Sequence, residues 1–184
     1  IDYETATSQT VVFTITDGTA AVTESVVITF TDADEFNVGS VTDSNTGAAN
    51  TMAENVANAA TVGVTAVATD ADGTTNVISY TVTDQSCANV FTVGSSTGIV
   101  AVADNTAIDY ETATSCTVEV TATSTDTSTA ATTFTVAVTD IDEFDVGAPS
   151  DSNSGTNTMA ENVANAATVG VTAVATDADG TTNV

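Results

Sequence analysis

The run from Asn50 to Val77 recurs without a single change as Asn157 to Val184, and Ile1 to Ser8 recurs as Ile108 to Ser115. A chain that repeats itself at a fixed period must fold each period into one self-similar unit, and this limits the architecture more than any other feature. The period is 107 residues, read from Ile1 to Ile108 or from Asn50 to Asn157, with a slip of one residue where Asp32 answers Asp140. The sequence therefore reads as the back part of one unit (1–36), one complete unit (37–143) and the front part of a third (144–184). Joining the two end pieces would still leave no counterpart of 78–107, so the expectation is a window on a longer tandem array.

Within the complete unit the apolar residues alternate. Val62, Val64, Ala66 and Ala68 form one row, Ile78, Tyr80 and Val82 the next, then Phe91 with Val93 and Val100 with Val102. Cys116, Val118, Val120 and Ala122 make another row, and Phe134, Val136 and Val138 close the unit. A period of two with Thr on the other face describes strands wet on one side, and no stretch has helical periodicity. Short strands at this spacing, broken by turns such as Gly94 to Gly98, predict an all-β two-sheet sandwich. Trp is absent and aromatics are 5%, so the core must rest on Val, Ile, Ala and a few Phe and Tyr.

Each unit ends in a cluster of acids. Val138-Thr139-Asp140-Ile141-Asp142-Glu143-Phe144 follows the last strand, and Phe30-Thr31-Asp32-Ala33-Asp34-Glu35-Phe36 is its earlier counterpart. The chain has no Lys, Arg or His to neutralise either cluster, and its net charge is −25. Two like charges about 4 Å apart repel by about 1 kcal/mol in water and by several times that near a protein surface. A strand that ends this way twice needs a cation from solution. The same charge excludes nucleic acid and anionic membranes as partners, and no apolar run approaches the ~20 residues of a membrane span. Paired carboxylates can hydrolyse glycosides, but with no basic side chain to assist and every acid pair placed at a joint, an enzyme is not expected. Asp70-Ala71-Asp72-Gly73 does not open an EF-hand, because the twelfth position is Thr81 rather than Glu and no helices flank it. No nonapeptide calcium-roll repeat and no Asn-x-Ser/Thr sequon is present.

The order of motifs resembles the cadherin repeat: Ala53-Glu54-Asn55, Ala68-Thr69-Asp70-Ala71-Asp72, Ile78-Ser79-Tyr80, Phe91-Thr92-Val93 and Thr97-Gly98-Ile99-Val100. Ile108-Asp109-Tyr110-Glu111, Val118 to Ala122 and Asp140-Ile141-Asp142-Glu143 complete it within one period. The resemblance implies tandem seven-strand Greek-key sandwiches, immunoglobulin-like in kind, with Ca²⁺ bound where consecutive units meet. Carried over residue by residue, it implies that the second joint draws on Glu54, Asp109, Glu111, Asp142, Glu143, Asp177 and Asp179, with Asn183 and the main-chain oxygens of Ile141 and Phe144. The first joint would use Asp2, Glu4, Asp34, Glu35, Asp70 and Asp72, with Asn76 as a carbonyl donor. Asp32 and Asp140 stand first in each linker, as ligands or to orient their neighbours, and Glu161 repeats the place of Glu54 for a following joint.

The chain departs from the family's pattern in two places, the linker and the sixth strand's tail. Glu143 and Phe144 stand where the pattern has Asp and Asn, and the carboxylate in the sixth strand's tail, Asp17 in the first unit, is replaced by Ser124 in the second, with Asp126 two residues on. In such a sandwich the third strand's end lies near the sixth strand's start, which implies a Cys87–Cys116 disulfide; two buried free thiols are the alternative. The functional expectation is a calcium-stiffened structural repeat of a long extracellular adhesin or cell-surface filament. Its partners would be calcium ions, neighbouring repeats and identical chains in a filament. The alternative is a binding module for like repeats or surface glycans, for which Tyr80, Phe36 and Phe144 are the few apolar candidates.

Overall fold

The computed structural model describes residues 1–179, and among them all regular structure is β. The complete unit is a two-layer sandwich. One sheet has the order β4-β10-β9-β6, formed by Thr51–Ala53, Thr129–Thr139, Ser115–Ser124 and Ile78–Gln85. The other has the order β3-β5-β8-β7, formed by Thr42–Asp43, Thr61–Val67, Ile99–Val102 and Phe91–Val93. All neighbours are antiparallel except β4, which lies parallel to β10 with Met52 opposite Val138. β3 and β4 are thus two halves of one leading strand that crosses from one sheet to the other, so the expected seven strands appear with the first one split. The crossing passes close over Gly63, where φ is +90° and an added Cβ would come within 2.3 Å of the Ala49 carbonyl oxygen. Only glycine allows both that approach and that backbone conformation.

The alternation read from the sequence is the alternation of burial. Along β9, Cys116, Val118, Val120 and Ala122 point inward while Thr117, Glu119, Thr121 and Thr123 face outward. Across the sandwich lie Val62, Val64, Val100 and Val102, and beside Cys116 in the same sheet lies Val136, all buried. Burying each such Val stabilises the fold by about 1.5–3 kcal/mol, so many of them replace the bulk that Trp would otherwise supply. Polar caps close the interior: the Tyr80 hydroxyl accepts from the Ala68 N–H at 3.0 Å, and the Ser124 hydroxyl donates to the Thr75 carbonyl at 2.8 Å. Cys87, just past β6, is bonded to Cys116 at the start of β9, with a Cα–Cα distance of 5.6 Å.

The flanking pieces keep the same local structure without the second layer. Before the unit, β1 (Ser8–Thr16) and β2 (Ala21–Thr29) pair over nine positions as a hairpin. After it, β11 (Ser150–Asp151) and β12 (Ala173–Val174) make a short antiparallel pair. The first piece meets the unit at the end of the sandwich where β6 begins and β9 finishes. The third piece meets it at the opposite end, where β10 runs out at Thr139.

Candidate metal centres at the two linkers

Each linker gathers carboxylates from a strand end, two loops and the chain between units. At the second linker Glu54, immediately after β4, is buried, and its two oxygens accept from the Ile141 N–H at 2.6 Å and the Tyr110 N–H at 2.8 Å. One carboxylate therefore fixes both the linker and the loop that carries Glu111. Glu54, Glu111, Asp140 and Glu143 each bring an oxygen within 4.8 Å of the others. A cavity of about 490 Å³ opens beside them, lined by Asp109, Phe144 and Ala178 among others. Across the linker, buried Asp179 accepts from the Glu143 N–H at 3.1 Å and the Phe144 N–H at 2.9 Å. Asp177 in turn accepts from the Asp179 N–H at 3.2 Å.

The first linker repeats this plan. Glu4, Asp32, Glu35 and Asp72 form the corresponding cluster within 4.8 Å. Asp72 accepts from the Phe36 N–H at 3.1 Å, Asp70 accepts from the Asp72 N–H at 3.2 Å, and Glu4 accepts from the Gly73 N–H at 3.1 Å. A Cβ on Gly73 would lie 2.9 Å from that Glu4 oxygen and 2.8 Å from the Tyr3 ring, so glycine lets the two units approach here. Asn76 donates its side-chain amide to the Asp72 carbonyl at 2.6 Å.

Asp34 and Asp142, the middle acids of each linker, lie outside these clusters and face carboxylates of the following unit, Asp72 at the first linker being shared with the cluster. Hydrogen bonding to Asp72, desolvation and the charges of Asp126, Asp72 and Asp70 raise the Asp34 pKa. Asp142 is raised in the same way by Asp179, desolvation and the charges of Asp179, Asp177 and Asp145. Desolvation and the Glu54 carboxylate push Glu143 up to about 7. Asp179 is lowered despite its desolvation, because the Phe144 and Glu143 N–H groups donate to it.

At the first linker three buried carboxylate oxygens, Asp32 Oδ1, Asp70 Oδ2 and Asp72 Oδ1, have no hydrogen-bond partner. A buried unpaired carboxylate oxygen is costly, and the chain has no basic side chain to compensate these three. The donors are all oxygens, most of them charged, which fits a hard divalent cation of the Ca²⁺ type and not a soft metal.

Some sequence candidates do other work. Asp2 and Asp109 accept from Thr5 and Thr112 and so cap their own turns, holding Glu4 and Glu111 in place. Glu161 is exposed and belongs to neither cluster, and Asn183 lies outside the described residues. Reading the sequence missed Thr74, whose hydroxyl donates to Asp32, and Ser128, which accepts from the Val38 N–H at 2.8 Å while donating to Asp126 at 2.7 Å. That pair ties the β9–β10 turn to the linker and sets Asp126 beside Asp34. Only the proximity of Thr74 to Asp72 and Gly73 hinted at the first contact, and nothing local hinted at the second.

The family model of the Cadherin domain matches residues 49–139. No curated protein matches by sequence. Among solved structures, protocadherin gamma B2 extracellular cadherin domains 1–5 superpose with a TM-score of 0.72 at 22% identity, covering 98% of this chain and 34% of that one. Mouse cadherin-23 EC22–24 gives 0.68 at 21%, covering 98% and 56%. The protocadherin gamma B7 EC3–6 cis-dimer structure gives 0.67 at 19%, covering 98% and 44%. The chain thus spans from about a third to little over half the length of these neighbours, and at such identities the likeness establishes the fold.

Proposed function

We propose, from the premise that residues 49–139 belong to the cadherin domain family, that the chain is a cation-stiffened structural repeat of an extracellular, cell-surface tandem array. The observation that carries this reading is the trio of buried, unpartnered carboxylate oxygens of Asp32, Asp70 and Asp72 at the first linker. The same plan of Glu54, Glu111, Asp140 and Glu143 at the second linker supports it. In this reading the unit boundaries fall at 1–36, 37–143 and 144–184, and each linker is a Ca²⁺ joint.

Glu4, Asp32, Glu35 and Asp72 would hold the ion at one joint, with Asp2, Asp34, Asp70 and Asn76 around them. Glu54, Glu111, Asp140 and Glu143 would hold it at the other, with Asp109, Asp142, Asp177 and Asp179 around them. Bound Ca²⁺ supplies six to eight oxygen coordination sites and the positive charge the chain lacks. The residues do the rest. Glu54 locks linker to loop through Ile141 and Tyr110, Asp179 holds the next unit through Glu143 and Phe144, and Gly73 admits Glu4. With the repulsion removed, each joint changes from a hinge to a fixed angle, and the chain acts as a spacer, with no enzymatic role. Small-angle scattering on one sample with millimolar calcium and then with chelator is the test. The maximum dimension should fall and its spread widen in chelator; an unchanged profile would remove the mechanism.

A further inference from the structure

We propose that Thr74 is a positioning residue of the first joint, and that the loop 72–74 latches the complete unit onto the preceding one before any cation arrives. The share of Thr74 in cation affinity rests on the calcium reading above; the cation-free latch does not.

The three acids with an orphaned oxygen share one pattern: a donor holds one oxygen, and the other is buried without a partner. Asp70 accepts from the Asp72 N–H through Oδ1 and leaves Oδ2. Asp72 accepts from the Phe36 N–H through Oδ2 and leaves Oδ1. Asp32 accepts from the Thr74 hydroxyl through Oδ2 and leaves Oδ1. Because a carboxylate is planar and rigid, holding one oxygen restricts where the other points. Donors that hold a ligand's second atom set its orientation, so an entering cation meets oxygens that need little reordering. The three holders differ in kind. Two are main-chain N–H groups, which every residue but proline supplies. The third is a side chain, so among these holders only that of Asp32 depends on residue type.

Thr74 also stands where the units meet. Asp72, Gly73 and Thr74 are consecutive, and each makes one bond across the joint. The Gly73 N–H donates to Glu4 of the preceding unit at 3.1 Å, the Thr74 hydroxyl donates to Asp32 in the linker, and Asp72 accepts from Phe36 at 3.1 Å. The partners are 69, 42 and 36 residues apart in the chain, so these bonds hold units together rather than a local turn. None of the three needs an ion. Glu4, Asp32 and Asp72 are three of the four acids of the first cluster, so the latch arranges most of the cation's donors in advance. Thr74 is exposed, so water competes for its bond, and its worth lies in orientation more than in strength. Thr75 offers the contrast: its hydroxyl is buried without a partner, and its carbonyl accepts from Ser124.

The test compares the 184-residue chain with Thr74 and Thr75 intact against Thr74→Val, Thr74→Ser and Thr75→Val. All forms carry Glu111→Ala, which weakens the second joint so that calorimetric titration with calcium reads the first. Thr74→Val should raise the calcium Kd roughly tenfold, the low end for losing a group that orients a metal ligand, because Thr74 is exposed. Thr74→Ser keeps the hydroxyl and should restore the affinity, and Thr75→Val should leave it unchanged. An unchanged Kd for Thr74→Val, a Thr74→Ser form as weak as Thr74→Val, or an equal loss in Thr75→Val would overturn the positioning role. In chelator, amide hydrogen exchange followed by NMR reads the latch. Thr74→Val should speed exchange at Gly73 and Phe36 while leaving the core amide of Val118, the folding control, as it was. Equal rates at Gly73 and Phe36 in all forms, or faster exchange at Val118 as well, would overturn the latch. If the form with Thr74 and Thr75 intact binds no calcium, the calcium reading and the role of Thr74 in affinity fall together, and the exchange rates still decide the latch.

Discussion

Asp72→Asn should stabilise the protein without calcium and lose most or all of that advantage with it. Asp72 is 2% exposed; its Oδ2 accepts from Phe36, and its Oδ1 has no partner. It lies within 4.8 Å of an oxygen of Asp32, itself half-buried. At that separation two unit charges repel by about 1 kcal/mol in bulk water and by about 3–4 kcal/mol at an effective dielectric of 20. Asparagine keeps a carbonyl oxygen for the Phe36 N–H and removes the charge, so in chelator the substitution should stabilise the unit by about 1–3 kcal/mol. In calcium the unaltered chain gains RT ln(1 + [L]/Kd), about 2.7 kcal/mol at a hundredfold excess. If losing one carboxylate raises Kd about a hundredfold, that gain shrinks to ~0.4 kcal/mol. The assay is urea unfolding followed by circular dichroism, in chelator and in millimolar calcium at matched ionic strength. Stabilisation in chelator together with loss of most of the calcium increment is the expected pair. Equal destabilisation in both would show that Asp72 is only a structural acceptor, and the electrostatic argument would fail.

Three further outcomes follow from the same geometry. Glu143 has a folded-state pKa near 7 against a reference value of 4.5, so in chelator its contribution to stability is fully present below about pH 4.5 and lost as pH rises through 7. Calcium requires the ionised form, so affinity measured by titration calorimetry should fall between pH 7.5 and 5.5, by up to about tenfold per pH unit for one coupled proton; a flat profile would contradict the assignment. Glu111→Ala and Asp142→Ala should each weaken calcium binding far more than Asp84→Ala or Asp104→Ala, the last of which only caps its turn through Thr106; four equal effects would mean a diffuse acidic cloud. Peptide mapping without reductant should recover Cys87 linked to Cys116, and a Cys87→Ser, Cys116→Ser double variant should lose about 3–4 kcal/mol in the chain-entropy model for a separation of 29 residues; free thiols in unreduced protein would refute it.

The sequence by itself determined the strands of the complete unit and their buried faces, because these are local or periodic properties. A side chain's face in a strand follows from counting by two, so Val118 and Val120 are inward wherever the strand is placed. The repeat is legible as a period of 107 residues, and the absence of any Lys, Arg or His leaves the acids of each linker without a basic partner. What only the tertiary structure decided is which oxygens converge. Glu54 and Ile141 are far apart in the chain, and so are Glu4 and Gly73; the closed sandwich and the meeting of units bring each pair within hydrogen-bond distance. The split of the first strand into β3 and β4 was likewise illegible, since it depends on the crossing over Gly63 and not on the alternation of either half. So was the separation of each linker into two acidic groupings, with Asp34 and Asp142 turned toward the next unit. Strict alternation would put Asp140 with Asp142, yet Asp140 groups with Glu143, so the path of the linker backbone between the units, and not a period, decides what each acid meets.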